Sequence, residues 1–302
     1  MTGGAGFIGS HLVEALIRGG WAVAVVDNLV AGRREDVPAE ADFYECDVCD
    51  HDALLPVLAG ADVVFHLAAL PKVQFSIDEP HTSNDVNLSG TVNVLNAAKE
   101  GGVRRVIFST SAAVYGDHET FPLSETLPPR PVTPYALQKY AGEEYARMYS
   151  ALHGLETVSL RYFNVYGPRM RPDGAYGLVV AHWLQAKEKG LPLPITGDGL
   201  QTRDFVHVRD IVRANLLAAM NENVGRGEVI NIGSGSRISM KELAELFGGP
   251  VEWAPARVES RHTEADNRKA KELLEWEPAI DLEEGIAELL ADIEINEEDD
   301  RT

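Results

Sequence analysis

Tyr135 and Lys139 stand four residues apart in Tyr135-Ala136-Leu137-Gln138-Lys139. On a helix that spacing puts a phenol and an ammonium on one face, within one turn of each other. A free tyrosine titrates at about 10, too high for a base at neutral pH. A lysine ammonium about 4 Å away is worth about 4 kcal/mol at an effective dielectric of 20, which lowers the phenol by as much as ~3 units. That brings it into the working range of a general base. The pair alone also suits an ordinary helix, so its surroundings decide. Upstream, Phe108-Ser109-Thr110-Ser111 closes an apolar run and leads into Ala112-Ala113-Val114-Tyr115-Gly116. A strand ending there presents Ser109 and Ser111 at the carboxyl edge of a sheet, where ligands bind. Ser111 is placed to share a hydrogen bond with a substrate hydroxyl that Tyr135 deprotonates.

A second constellation opens the chain. Met1-Thr2-Gly3-Gly4-Ala5-Gly6-Phe7-Ile8-Gly9 is a glycine-rich phosphate loop, and eighteen residues after Gly9 Asp27 closes the apolar run 21–26. Loop, helix, strand and acid in that order form a dinucleotide fingerprint. Gly3 makes the tight turn, Gly6 lets the backbone approach a pyrophosphate, and Gly9 lets helix and strand pack closely. The pyrophosphate would sit at the N-terminus of a helix over 7–19. Asp27 would accept both ribose hydroxyls, which fits NAD and repels a 2′-phosphate. Folds of this kind carry an apolar strand of about five residues before the loop. Only Met1 and Thr2 stand there, so a late start or a trimmed chain is expected.

The elements that must position these residues follow from the pattern. Apolar strands at 21–26, 42–46, 62–66, 103–109 and 156–162 alternate with helices at 7–19, 51–58, 83–100 and 134–153. Continuous apolar strands between helices mean a parallel sheet covered on both faces, a Rossmann-type doubly wound α/β fold. Residues 164–204 then carry turns and short connections such as Gly167-Pro168 and Leu191-Pro192-Leu193-Pro194. Helices fit at 177–189, 208–222 and 239–246, and Val229-Ile230-Asn231-Ile232 returns to the sheet. The expected organisation is a dinucleotide-binding domain over 1–165, with returns at about 205–235. A smaller C-terminal substrate-binding α/β domain, from 166–204 and 236–302, would close a cleft over it.

Composition narrows the partners. A formal charge of −20 argues against nucleic acid and anionic membranes, whose phosphates need Lys and Arg. Lysine supplies 8 of the 27 basic residues; an acidic, lysine-poor surface suits a salt-rich cytoplasm, and a merely acidic mesophile protein is the alternative. No stretch approaches about eighteen apolar residues and no charged-then-apolar leader precedes the glycine loop, so a soluble cytoplasmic protein is expected. The acidic tail from Glu294 to Thr302 reads as a frayed end. Cys46-Asp47-Val48-Cys49 lacks the two further ligands that zinc needs and closes a strand rather than opening a helix. Its expected role is structural, and no metal site is expected.

Taken together, these blocks resemble the extended short-chain dehydrogenase/reductases, and within them the UDP-hexose 4-epimerases. The likeness also rests on Asp27-Asn28-Leu29, His66-Leu67-Ala68-Ala69, Asn87-Leu88-Ser89-Gly90-Thr91, the run Arg161 to Pro168, Gly197-Asp198-Gly199 and Gln201 to Val208. The resemblance implies that Asp47 and Val48 hold the adenine, while Leu67, Ala68 and Ala69 line the dinucleotide. It implies that Asn87 orients strand-end backbone near the nicotinamide and that Phe163 meets the carboxamide. Asn164 and Arg203 would grip a sugar-nucleotide diphosphate, arginine offering phosphate a bidentate fork. Leu178, Val179 and Trp183 would pack beside the uracil. Arg257 belongs to an Arg-x-Gly-acid block with one residue deleted, and Arg261 could substitute for it. Four residues after Glu259, Thr263 would form a wall of the hexose pocket, small enough to admit a 2-acetamido group.

In this family the 4,6-dehydratases carry an extra Asp-Glu after the corresponding threonine, and the UDP-glucuronate decarboxylases a Glu before Val-Tyr-Gly. Here Ala112 and Ala113 stand instead, which favours plain epimerisation. Another nucleotide-sugar epimerase, such as a UDP-glucuronate 4-epimerase, and a net oxidoreductase are the alternatives. A third reading, an NAD-sensing binding protein, predicts a broken Ser/Tyr/Lys set. The family also implies a homodimer across helices 83–100 and 134–153, through Leu88, Val92, Leu95, Tyr145, Met148 and Leu152.

Overall fold

The computed structural model describes residues 1–172, 179–256 and 260–299. The first half gives α1 (Phe7–Arg18), β1 (Ala24–Asp27), β2 (Asp42–Glu45), α2 (His51–Leu58), β3 (Val63–His66), α3 (Val73–Asp78), α4 (Pro80–Asn84), α5 (Gly90–Glu100), β4 (Arg105–Ser111), α6 (Pro134–His153) and β5 (Glu156–Tyr162). The second half gives β6 (Asn164–Tyr166), α7 (Val179–Glu188), β7 (Leu193–Thr196), β8 (Thr202–Arg203), β9 (Phe205–His207), α8 (Val208–Met220) and β10 (Arg226–Ile232). It closes with β11 (Ile238–Ser239), α9 (Met240–Phe247), β12 (Val251–Ala254), α10 (Arg268–Leu274) and α11 (Leu282–Asp299).

β1 pairs with β2, and β3, β4, β5 and β10 follow one another, all parallel. Thr2 joins the two groups into one Rossmann-type sheet by bridging Val26 on one side and His66 on the other. Its N–H donates to the Phe65 carbonyl at 2.9 Å, and the Val26 N–H returns to Met1 at 2.7 Å. Thr2 thus lies at the centre of the sheet, directly before the glycine loop. In β4 everything from Arg105 to Thr110 is buried and Ser111 is half-buried, so burial relaxes where the strand reaches the cleft. Helices α5 and α6 lie against each other beside this sheet, while α1 packs on α8.

Beyond the sheet, β6 runs parallel to β9, β7 parallel to β12, and β8 antiparallel to β11. A second apolar core, with Trp183, Leu243, Phe247, Ile286 and Leu289, fills the space among α7, α9 and α11. No described helix is long and apolar enough to cross a membrane.

Several expectations change. Residues 83–100 are not one regular helix: a π-helical turn, Asp85–Ser89, separates α4 from α5. The prolines of 191–194 suggest a turn, yet β7 forms there. β7 pairs only with β12 among the described residues, and the Pro194 carbonyl accepts Trp183 Nε1–H at 2.9 Å on the other side. A residue without an N–H is tolerated on that unpaired edge. The backbone of α11 is helical through Asp299, where a frayed end is expected from Glu294 onward. Glutamate and aspartate do not break a helix as proline or glycine does.

Candidate active site

Thr133 caps α6 by accepting the Ala136 N–H at 3.3 Å, and Pro134 occupies the first turn, where a missing N–H is harmless. This starts the helix one residue before Tyr135. The Tyr135 N–H donates to Ser76 Oγ on α3 at 3.1 Å. Gly142 lets α6 close on β4, since a Cβ there would lie 2.7 Å from the Phe108 ring. The close approach brings Lys139 Nζ to the Ser109 carbonyl at 2.9 Å and to 5.0 Å from the centre of the Phe108 ring. Tyr135 and Lys139 are 5% and 2% exposed, yet both line the large cleft at the sheet's carboxyl edge. Burial lowers the Lys139 ammonium to about 7, with Glu143 one turn further along opposing the fall. Its charge therefore turns over near neutrality, where the spacing argument took it as fixed. Ser111 Oγ accepts the Ala113 N–H at 3.1 Å, which leaves its hydroxyl as a donor.

Gly3, Gly6, Phe7, Ile8 and Gly9 line the same cleft. Gly3 holds φ at +73°, and a Cβ on Gly9 would lie 2.0 Å from the Gly3 carbonyl, so only glycine fits at Gly9. Helix α1 begins with no side-chain cap, and an uncapped N-terminus attracts an anion. Asp27 ends β1 and Asn28 follows it, Asp47 and Val48 follow β2, and Leu67, Ala68 and Ala69 follow β3, all lining the cleft beside Ser109. The Asp27 oxygens accept the Ala5 and Leu29 N–H groups at 2.9 Å each, which fixes the carboxylate and leaves further lone pairs. Burial pushes this carboxyl above its ordinary value. Leu29 acts through that N–H, at φ 59°. Burial also pushes Asp47 up, but the Cys49 N–H and the Asn28 amide together bring it below its ordinary value. The positive N-terminal pole of α1, an oriented carboxylate at the end of β1 and an apolar wall after β3 fit a dinucleotide such as NAD on geometry alone.

Two predicted cofactor residues lie under the wall rather than in it. Asn87, in the π-helical turn, is buried and clamps Leu70, accepting its N–H at 2.7 Å and donating to its carbonyl at 3.0 Å. Phe163 is buried against Tyr115, with ring centres 6.5 Å apart. At the start of β6, Asn164 Nδ2 donates to the Asp204 carbonyl at 3.0 Å and to Thr263 Oγ1 at 3.4 Å, so these residues are brought together. The Asp204 carboxylate accepts N–H groups from Ser234, Gly235 and Ala265, and burial nevertheless raises it to about 6. Arg203 lines a smaller cleft with Phe205, Ser234 and Ile280, and donates to the Thr202 carbonyl at 2.9 Å. Arg261 forms a bidentate pair with Asp198 at 2.9 and 2.7 Å. Val179 begins α7 half-buried. Trp183 is a correction: it is 0% exposed, packed edge-on against Phe247 in the second core, and offers no face to a uracil. Leu178, Arg257 and Glu259 lie outside the described residues, as does the stretch 173–177.

Residues missed by the sequence reading also reach the site. Gln138 Oε1 accepts from Asn87 at 2.9 Å and from Ser83 at 2.8 Å, tying α6 to the π-helical turn. Arg169 and Arg171 line the cofactor cleft from the segment after β6. Arg169 pairs with Glu14 of α1 and keeps Nη1 buried without a hydrogen-bond partner among the described residues. A signal existed in the basic pair directly after Gly167-Pro168. Cys46 lines the cleft and Cys49 is exposed, its thiol pushed up by partial desolvation together with the Asp47 and Asp85 carboxylates.

A parallel sheet with this glycine loop and a tyrosine–lysine pair at its carboxyl edge defines a Rossmann-fold, dinucleotide-dependent enzyme. Residues 1–233 match the NAD dependent epimerase/dehydratase family, and the chain belongs to that family. The UDP-glucose 4-epimerase of Mycolicibacterium smegmatis is 40% identical over 302 residues, covering 95% of each chain. The crystal structure of the Thermotoga maritima UDP-glucose 4-epimerase with UDP-glucose is 39% identical, covers 98% of this chain and 97% of that one, and superposes with a TM-score of 0.92. A UDP-N-acetylglucosamine 4-epimerase from Methanobrevibacter ruminantium, in complex with UDP-N-acetylmuramic acid, is 34% identical over 98% and 97% of the two chains, with a TM-score of 0.91.

Proposed function

We propose that this chain is an NAD-dependent UDP-hexose 4-epimerase, interconverting UDP-glucose and UDP-galactose. One observation carries the reading. Tyr135 and Lys139 share a cleft with the glycine loop and Asp27, while Ala112 and Ala113 stand where the family's dehydratases and decarboxylases need an acid. NAD, when bound, supplies the acceptor for the hydride of the sugar C4 and gives it back. Tyr135 removes the 4-hydroxyl proton, Ser111 shares a hydrogen bond with that hydroxyl, and the Lys139 ammonium stabilises the phenolate. The 4-keto sugar then turns over in the cleft, and Tyr135 returns the proton after the hydride has reached the opposite face.

Asn164 and Arg203 are assigned to the diphosphate, with Leu178 and Val179 beside the base and Arg257 as a further diphosphate ligand. Thr263 is assigned to the hexose wall. Its hydrogen bond to Asn164 supports that place, and its size supports a range that includes UDP-N-acetylglucosamine. The cofactor domain is assigned to 1–165 with 205–235, and the substrate domain to the remainder. A cytoplasmic homodimer fits the exposed α6 side chains Leu137, Tyr145, Met148 and Leu152. Leu95 drops out of that surface because it is buried in the core. Tyr135→Phe tests the assignment: activity should fall roughly 10²–10⁴-fold, the worth of a general base, while NAD still co-purifies. A variant that kept most of its turnover would remove Tyr135 from the chemistry.

A further inference from the structure

Glu143 and Arg161 form an ion pair buried between α6 and the sheet, at 1% and 3% exposure. Arg161 donates to Glu143 from Nε at 2.9 Å and from Nη2 at 2.6 Å, and Thr110 Oγ1 donates to the same carboxylate at 2.7 Å. The guanidinium lies over the Tyr115 ring, 4.6 Å from its centre. Desolvating such a pair is costly, and hydrophobic residues of the same volume often serve stability as well. Stability alone is therefore a weak reason for it, and its position supplies another.

Tyr135, Lys139 and Glu143 follow at four-residue steps on the buried face of α6. Facing them on β4, the Ser109 carbonyl accepts the Lys139 ammonium and the next residue, Thr110, holds the Glu143 carboxylate. Arg161 lies one strand further away, on β5, in register with Thr110. The carboxylate thus stands between the lysine and the arginine that compensates it.

We propose that Glu143, fixed by Arg161 and Thr110, is a positioning residue that holds the proton on Lys139 against the burial of its ammonium. This rests on the reading of Tyr135 and Lys139 as the base pair. Among the described residues, the groups facing Lys139 are few. Along α6 they are Tyr135 and Glu143, and from β4 the Phe108 ring and the Ser109 carbonyl. From β3 comes His66, whose ring nitrogens contact Thr2 and Thr91 and which burial holds neutral, at about 3. Among the described residues, Glu143 is the carboxylate that opposes the desolvation of Lys139.

Glu143→Gln keeps the shape and the acceptor for Thr110, but leaves the Arg161 charge uncompensated. Glu143→Gln/Arg161→Met removes both charges. In ¹³C-lysine-labelled protein as purified, the Lys139 resonance is assigned through Lys139→Met and titrated. The midpoint should fall by about one unit or more in Glu143→Gln, a tenfold loss of proton affinity. In the double variant it should lie between that value and wild type. The alkaline limb of the kcat profile should move down with it, kcat at pH 7 should fall about five-fold, and KM for UDP-galactose should hold. A wild-type midpoint in either variant, or a loss of kcat equal at every pH, would overturn the proposal. The midpoint is read without turnover, so it stands apart from any failure of Tyr135 as the base.

Discussion

Replacing Lys139 by methionine should stabilise the protein at about pH 6 and destabilise it at about pH 10.5. The ammonium is held at about 7 in the fold against 10.5 in the unfolded chain. Between those values the unfolded state binds more protons, so stability rises with pH across the window, and the full penalty is present below pH 7. The gap of 3.5 units (10.5 minus 7), at 1.36 kcal/mol each, comes to about 5 kcal/mol. Methionine fills similar space without a charge. It also deprives the Ser109 carbonyl of its donor, and an unsatisfied buried carbonyl costs about 1–3 kcal/mol. The net expectation is a gain of about 2–4 kcal/mol at pH 6 and a loss of about 1–3 kcal/mol at pH 10.5. Guanidinium midpoints of cofactor-free wild type and variant are measured in parallel at each pH, so that titrating groups remote from Lys139 cancel. A difference that does not change with pH, or a variant less stable than wild type at pH 6, would contradict a Lys139 ammonium desolvated by the fold.

Thr263→Tyr should lower kcat/KM for UDP-N-acetylglucosamine relative to UDP-glucose by about tenfold or more, the scale of a steric change in a pocket. An unchanged ratio would take Thr263 out of the hexose wall. Light scattering at micromolar concentration should return twice the 32.9 kDa chain mass, and a mass near one chain would contradict the dimer.

What could be read before folding was chemistry set by short spacing. Gly3, Gly6, Gly9, Asp27 and the Tyr135–Lys139 pair lie within single turns or at strand ends, where local geometry places them. Contacts made across the chain were not legible. His11 meets the Pro168 carbonyl from 157 positions away, and the same fold-back brings Arg169 to Glu14 and into the cofactor cleft. Asn87 was visible as a motif residue, but its grip on Leu70 and Gln138 depends on a π-helical turn that no periodicity announces. Trp183 was misplaced because an indole suits a core as well as a ligand wall, and only packing distinguishes them. Charge states were least legible. The i, i+4 spacing suggests a full positive charge on Lys139, and burial lowers that ammonium to about 7.

The central claim is that hydride leaves and returns within one cleft, so that the reaction needs no external oxidant. Purified protein should be incubated with UDP-galactose alone, with products resolved by proton NMR and absorbance followed at 340 nm. UDP-glucose should form until the two sugars equilibrate, with no added NAD and no accumulating reduced cofactor. Stoichiometric build-up of reduced cofactor with a stable keto sugar, or no conversion by protein that carries NAD, would contradict it.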